Sequence, residues 1–210
     1  MKNIIIVGAG GLANDLYMYL QPKLNQSLAV KGILVDNLED YNKIGLKVEY
    51  LGKIKDYQIK KEDLFLIAIG ENPGRKMILQ YFTDKGAIFF TLVHPTVILH
   101  PSAIIKEGSI IGPYSIIGSN SVIENNSFIN KYCNIGHNVE LKEGCILYPY
   151  SMVGGNSIIG KNVVLSTRVT ISPKLYIGDN CVISAHTFIH KNLNDNTFVF
   201  NSIKQIKKKV

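Results

Sequence analysis

The sequence predicts a small Rossmann-like α/β unit with a parallel sheet, followed by a parallel β-helix of hexapeptide repeats. Two observations predict it. The chain opens "NIIIVGAGGLA", an apolar strand running into a glycine turn. Further on, counting in sixes from Leu99 to Ile189 reaches sixteen positions, and each is Leu, Ile or Val without one slip of frame. A fixed period of this kind reads as a hexapeptide β-helix.

The amino-terminal unit comes first. "NIIIV" is a buried strand, and "LANDLYMYLQ" has helical character with Leu12, Leu16, Tyr19 and Leu20 on one side. Between them Gly8, Gly10 and Ala13 satisfy G-x-G-x-x-G/A in its proper place, strand before and helix after. Glycines there let a backbone approach a phosphate, and a helix N-terminus favours negative charge; turn chemistry alone also accounts for them. A second strand, "KGILVDN", ends on Asp36 and Asn37, which are able to take a ribose or base hydrogen bond, and a third, "DLFLIAIG", leads into "ENPGR". Loops at the carboxyl ends of parallel strands are where such sheets bind ligands. About 90 residues precede the repeats, too few for both halves of a dinucleotide fold, so a mononucleotide or nucleotide sugar fits better.

The repeat follows. Two residues before each beat the chain is mostly small, as at Ser109, Ser115, Ser121, Ser127, Cys133, Cys145, Ser151 and Ser157. The residue after the beat is Gly at 112, 118, 136, 154, 160 and 178, where a tight corner wants glycine's freedom in φ. Three hexapeptides close a coil of eighteen residues, and coils pair as parallel strands about 4.8 Å apart, which makes a prism roughly 25 Å tall. The predicted divisions are 1–93 for the α/β unit, 94–192 for the β-helix and 193–210 for a basic tail. The amino-terminal unit is expected to cap one end of the prism and the tail the other.

Composition narrows the partners. Of the net charge of +7, residues 1–93 contribute 12 basic and 10 acidic groups, and four lysines of the tail carry most of the rest. The prism itself is nearly neutral and offers no basic face for nucleic acid. The lysine tail is either a solvated end or a contact for a phosphorylated ligand. Apolar runs fall short of the ~20 residues of a membrane span, and the start lacks a small-residue cleavage site, which predicts a cytoplasmic protein. Cys133, Cys145 and Cys181 fall on the small inward position and read as packing.

One histidine falls outside these patterns. His137 lies two residues after the Ile135 beat, on an outward corner, and eighteen residues on stands Gly155, its neighbour in the next coil. His186 lies 49 residues from His137, about 13 Å along the axis at the strand spacing, too far to share a zinc whose ligands all lie within ~2 Å. Tyr114, Tyr132 and Tyr150 recur at eighteen, continued by Arg168 and His186; such a column seals a face or an interface, or contacts a ligand.

The order "IVGAGGLA", "VDN", "IAIGENPGR", "HPTVILHPSA" and then uninterrupted hexapeptides with one corner histidine in "IGHN" resembles the bacterial sugar O- and N-acyltransferases. That family includes sialic acid O-acetyltransferases and UDP-amino-sugar N-acetyltransferases, and the resemblance covers essentially the whole chain. It implies a left-handed β-helix, a homotrimer, and acetyl-CoA lying between neighbouring prisms with no metal. It also implies a nucleotide sugar on the amino-terminal unit at Gly8, Gly10, Gly11, Asp36, Asn37, Gly70, Asn72 and Arg75. His137 matches the catalytic base, with Asn138 beside it and Gly155 N–H as the oxyanion donor; acyl-CoA is expected at Gly155, Thr167, Ala185 and Lys207. The implied activity is transfer of an acetyl group to an amine or hydroxyl of a nucleotide-linked sugar or sialic acid for a surface glycan. The chain departs from the family at Asn138, where relatives have an acidic residue, and at "FNSIKQ", where they have a glycine-proline-alanine turn. Either the base is weaker, or Glu124 or Glu140 substitutes, or the chain is a non-catalytic nucleotide-sugar-binding scaffold that keeps the fold.

Overall fold

The computed structural model describes residues 1–70 and 72–201, apart from the side chain of Asn72. The amino-terminal unit runs β1 (Lys2–Val7), α1 (Gly11–Leu20), β2 (Leu28–Leu34), α2 (Leu38–Ile44), β3 (Glu49–Tyr50), β4 (Asp63–Ile67), α3 (Asn72–Asp84) and β5 (Ile88–Phe89). Its sheet has the order β3-β2-β1-β4-β5, every pairing parallel, with β1 at the centre. β1 is central because its side chains are apolar on both faces: Ile4, Ile5, Ile6 and Val7 are fully buried, as a strand covered on both sides must be.

From Leu92 to Val199 the chain winds as a left-handed β-helix of two-residue strands. Its three faces hold seven, six and five strands, all parallel. The first face runs from Leu92–Val93 to Phe198–Val199, the second from Ile98–Leu99 to Phe188–Ile189, and the third from Ile104–Ile105 to Tyr176–Ile177. Register holds at eighteen up to Ile189, as in Ile117 beside Ile135 and Ile135 beside Val153, and shortens to sixteen where Phe198–Val199 pairs with Val182–Ile183. The beat residues form one continuous core from Ile111 to Ile189. Cys133, Cys145 and Cys181 are buried in it, and burial pushes the thiols of Cys133 and Cys145 up to about 12. The buried serines turn inward and donate to carbonyls one turn of chain on, as Ser121 Oγ does to Gly136 O at 2.7 Å.

The corners are built differently from the expectation. The left-handed backbone falls on the third residue after each beat from Ile105 to Ile183, as at Asn120, Asn138 and Asn156, at Tyr114, Tyr132 and Tyr150, and at Asn126, Asn162 and Asn180. Asparagine is among the few side chains that tolerate this region. The glycines directly after the beat do not need positive φ; they permit close approach between coils. A Cβ on Gly118 would lie 2.7 Å from the carbonyl carbon of Gly136, and one on Gly136 would lie 2.6 Å from the amide nitrogen of Gly155.

The amino-terminal unit leans on the flank of the prism, not on its end. Ala13, Leu16 and Leu20 of α1 share one buried cluster with Leu92, Ile110, Phe128, Ile146 and Val164, the outward column of the first face. That column offers α1 a longer apolar surface than one end coil does, so Leu99 and Ile104 of the first coil stay exposed. Tyr148 Oη donates to Gly70 O at 2.9 Å and Lys131 pairs with Asp15 at 3.7 Å across the same junction. At the other end Leu193 bridges to Ile177, and Phe198–Val199 adds the last strand to the first face. Lys204, Lys207, Lys208 and Lys209 lie outside the described residues. No helix among the described residues is long and apolar enough to cross a membrane.

Candidate active site

His137 stands exposed on the corner between the second and third faces, opposite the face that carries the amino-terminal unit. Its backbone is fixed from the next coil, whose Asn156 N–H donates to His137 O at 2.9 Å. Its ring lies over Gly155: a Cβ there would fall 2.7 Å from Nε2, 2.9 Å from Cε1 and 3.0 Å from Cδ2. Only a glycine leaves room for the imidazole in this position.

The other ring nitrogen is held by the following residue. Asn138 Nδ2 lies 2.9 Å from His137 Nδ1, and Asn138 is itself fixed by its left-handed backbone and by donation of its N–H to Ser119 O at 2.8 Å. Neither carboxylate weighed as a substitute for an acidic neighbour turns to the ring. Glu124 is paired with Lys106 at 2.7 Å, and Glu140 is paired with Lys142. Among the described residues no group of three or more His, Cys, Asp and Glu side chains is arranged to hold a metal ion.

The amino-terminal residues gather at the carboxyl ends of β1, β2 and β4. Gly8 has φ +103° and is packed against Ala68 O and Ile69. Gly10 caps α1 with no side chain, and a Cβ at Gly10 or Gly11 would meet nothing within 4 Å. The start of this ten-residue helix is therefore an open rim of backbone N–H groups, the arrangement that suits a phosphate.

Asp36 and Asn37 are exposed beside it, each already partly engaged. Asp36 Oδ1 accepts from Ile54 N–H at 2.9 Å, and Asn37 Oδ1 accepts from Glu39 N–H at 2.8 Å, which caps α2. Gly70 gives its carbonyl to Tyr148. Asn72 opens α3, and its side chain lies outside the description.

Arg75 is turned inward instead of toward a ligand. It is 1 % exposed and donates to Ile67 O at 2.6 Å and to Asn126 O of the prism at 3.4 Å, while desolvation brings its pKa down to about 10. Its visible work is to pin α3 to β4 and to the β-helix.

Of the residues expected at acyl-CoA, Gly155 lies with His137, whereas Thr167 and Ala185 lie on the other edge of the second face, beside Arg168 and His186. Lys207 lies outside the described residues. The tyrosine column borders the same edge. Tyr114, Tyr132 and Tyr150 stack with centroids 5.1 and 4.9 Å apart, and Arg168 lies 5.4 Å over Tyr150. All three rings are exposed.

Two features go beyond the sequence reading. One is the steric role of Gly155, expected beside His137 as an oxyanion donor and found to be the floor that leaves the ring its room. The other is a ladder of side-chain amides through Asn120, Asn138 and Asn156, whose signal was an asparagine recurring at eighteen.

Comparison with known proteins agrees with this architecture. Residues 93–166 match the model of the GMPPB C-terminal domain, and residues 156–191 match that of the bacterial transferase hexapeptide (six repeats). No curated protein matches the chain. Among solved structures, a histidine-to-asparagine variant of perosamine N-acetyltransferase from Caulobacter crescentus, in complex with CoA and GDP-perosamine, is 21 % identical. That alignment covers 100 % of this chain and 98 % of the other, with a TM-score of 0.82. The acetyltransferase domain of PglB from Neisseria gonorrhoeae FA1090, in complex with acetyl coenzyme A, is 18 % identical over 94 % and 95 % of the two chains, with a TM-score of 0.82. WeeI from Acinetobacter baumannii AYE is 16 % identical over 96 % and 97 %, with a TM-score of 0.66. Residues 156–191 thus carry hexapeptide repeats of the bacterial transferase type, and the chain as a whole has the fold of these solved structures.

Proposed function

We propose that this chain is an acetyl-CoA-dependent acyltransferase that transfers an acetyl group to an amine or hydroxyl of a nucleotide-linked sugar or sialic acid, in the making of a surface glycan. The observation that carries the proposal is His137: an exposed imidazole seated over a glycine, with Nδ1 held by Asn138 and Nε2 turned away from that contact. The neutral ring takes a proton from the acceptor as its nitrogen or oxygen attacks the thioester carbonyl. The Gly155 N–H stabilises the tetrahedral oxyanion, and the intermediate collapses with loss of CoA thiolate, which regains a proton from the imidazolium. No covalent enzyme intermediate is formed. Histidine suits the step because its ordinary pKa is near neutrality.

The nucleotide part of the acceptor is assigned to residues 1–93, at the open start of α1 and beside Asp36 and Asn37. The β-helix, from Leu92 to Val199, supplies the base. Acetyl-CoA is assigned to the second face between Gly155, Thr167 and Ala185; Lys207 lies outside the described residues. Acetyl-CoA and nucleotide sugars are cytoplasmic metabolites, which agrees with a cytoplasmic enzyme.

Assembly follows from placement. The nucleotide site and His137 lie on opposite sides of one prism, so a neighbour's amino-terminal unit has to bring the acceptor. The faces on either side of the His137 corner expose Ile98, Ile116, Met152 and Phe188, and Ile104, Ile158 and Tyr176. Apolar columns of that extent call for a partner, and a homotrimer about an axis parallel to the prism buries them.

A second reading, a non-catalytic nucleotide-sugar-binding scaffold, draws on Asn138: it gives the imidazole no carboxylate, and Glu124 and Glu140 are bound to lysines elsewhere. Release of free thiol from acetyl-CoA in the presence of UDP- and CMP-sugars separates the two. Turnover that falls by about 10²–10⁴ in His137→Ala is expected of the enzyme. Binding of nucleotide sugar without thiol release under any acceptor, unchanged by His137→Ala, would identify the scaffold.

A further inference from the structure

We infer that Asn120 and Asn156, whose side chains do not touch the His137 ring, are positioning residues that set which ring nitrogen of His137 carries the proton. The observation is the amide ladder on the His137 corner. Asn120 Nδ2 donates to Asn138 Oδ1 at 3.2 Å, and Asn138 Nδ2 donates to Asn156 Oδ1 at 3.1 Å. The same Asn138 nitrogen has its second hydrogen for His137 Nδ1 at 2.9 Å.

A side-chain amide has one donor end and one acceptor end of nearly the same shape. Each rung therefore accepts from one neighbour and donates to the other, so the three amides share one sense. That sense reaches the ring. With Asn138 Nδ2 on Nδ1, Nδ1 is an acceptor and the proton sits on Nε2. Reversal of the ladder turns Asn138 Oδ1 toward the ring, so that Nδ1 carries the hydrogen and Nε2 keeps its lone pair.

A second ladder, Asn162, Asn180 and Asn196, runs in the same sense on another corner that has no histidine. The ladder thus recurs on two of the three corners, and among the described residues it is at His137 that it meets a titratable ring. A carboxylate beside the ring accepts only and fixes one tautomer by itself. An amide does so only as its neighbours dictate, and this moves control of the ring to residues one coil away.

The consequence for chemistry rests on His137 being the base, since a base acting through Nε2 needs the reversed sense. The sense is set from the ladder's ends. An acceptor-only side chain at 120 draws Asn138 Nδ2 toward itself and reverses the ladder. A donor-only side chain at 156 does the same by drawing Oδ1. An acceptor-only side chain at 156 holds the present sense. All three replacements are compatible with a left-handed corner: Asp tolerates that region, and Lys174 occupies it in the next rung of the same column.

The test is the tautomer of His137 in the full-length protein, read from imidazole ¹⁵N shifts at a pH where the ring is neutral. Asn120→Asp and Asn156→Lys, which change the charge in opposite directions, are both expected to move the proton from Nε2 to Nδ1. Asn156→Asp is expected to keep it on Nε2. Thiol release should then be roughly three- to tenfold faster in Asn156→Lys than in Asn156→Asp, the population change one hydrogen bond produces. A tautomer that is the same in all three variants, or that follows the added charge instead of donor and acceptor type, overturns the inference. The expected tautomers with no thiol release in any variant would leave the ladder standing and refute His137 as the base.

Discussion

Gly155→Ala separates two roles that one glycine plays. The added Cβ would lie 2.7 Å from His137 Nε2 and 2.9 Å from Cε1, against an ordinary contact of about 3.5–4.0 Å. The ring must therefore retreat by about 1 Å. It is exposed and hinged at χ1, so the retreat costs little in stability, and Gly155 is not among the residues with positive φ. The variant is expected to melt within about 0.5 kcal/mol of wild type. Activity is another matter, because a displacement of that size at a catalytic group lowers the rate about 10²-fold.

Alanine keeps the backbone N–H, so if Gly155 acted only as an oxyanion donor the substitution would change nothing. The assay is free-thiol release from acetyl-CoA with a saturating nucleotide-sugar acceptor, on Gly155→Ala, His137→Ala and the double variant. The steric account expects the double variant to be no slower than His137→Ala, since both changes act through one ring. A Gly155→Ala enzyme within about threefold of wild type would refute the glycine floor as a requirement of catalysis.

Asn138→Asp should raise kcat near neutral pH by up to about tenfold, because a carboxylate at 2.9 Å from Nδ1 favours both the imidazolium and the productive tautomer; a loss of rate would mean that the amide itself meets the substrate. Arg75→Met should lower stability by about 1–3 kcal/mol by leaving Ile67 O and Asn126 O without their donor, with KM for the nucleotide sugar little changed in the folded enzyme. An unchanged melting temperature with a raised KM would place Arg75 at the ligand after all. His94 is held below the ordinary histidine value by burial first and by Lys23 second. The folded chain therefore binds that proton less readily than the unfolded chain, and stability falls as pH drops through about 6.5 and below. His94→Asn keeps an acceptor for Thr96 N–H, which now donates to Nδ1 at 3.2 Å, and should lose less melting temperature between pH 7 and pH 5; equal acid sensitivity in both proteins would show that the loss arises elsewhere.

What could be read from the chain was what it repeats. Every sixth residue has to turn inward, so the beat from Leu99 to Ile189 announced the prism and its register. The outward column Ile110, Phe128, Ile146 and Val164 repeats as well, and it is what draws the amino-terminal unit onto the flank; read as a column it would have corrected the expected end cap. The corner glycines misled because glycine serves two purposes. Here it lets coils approach, while asparagine and tyrosine take the left-handed residue.

Contacts made once leave no such trace. Arg75 reaches Asn126 across 51 residues and Tyr148 reaches Gly70 across 78, and only the docking of the two units decides either. His137 was legible for the opposite reason. Its column reads Ser119, His137, Gly155 and Pro173, so the imidazole has no like neighbour to stack on and the next rung is emptied to admit it. A side chain serving the prism would recur with the coil, as the tyrosines and asparagines do; a titratable ring that appears once, on a floor of glycine, serves something outside the repeat.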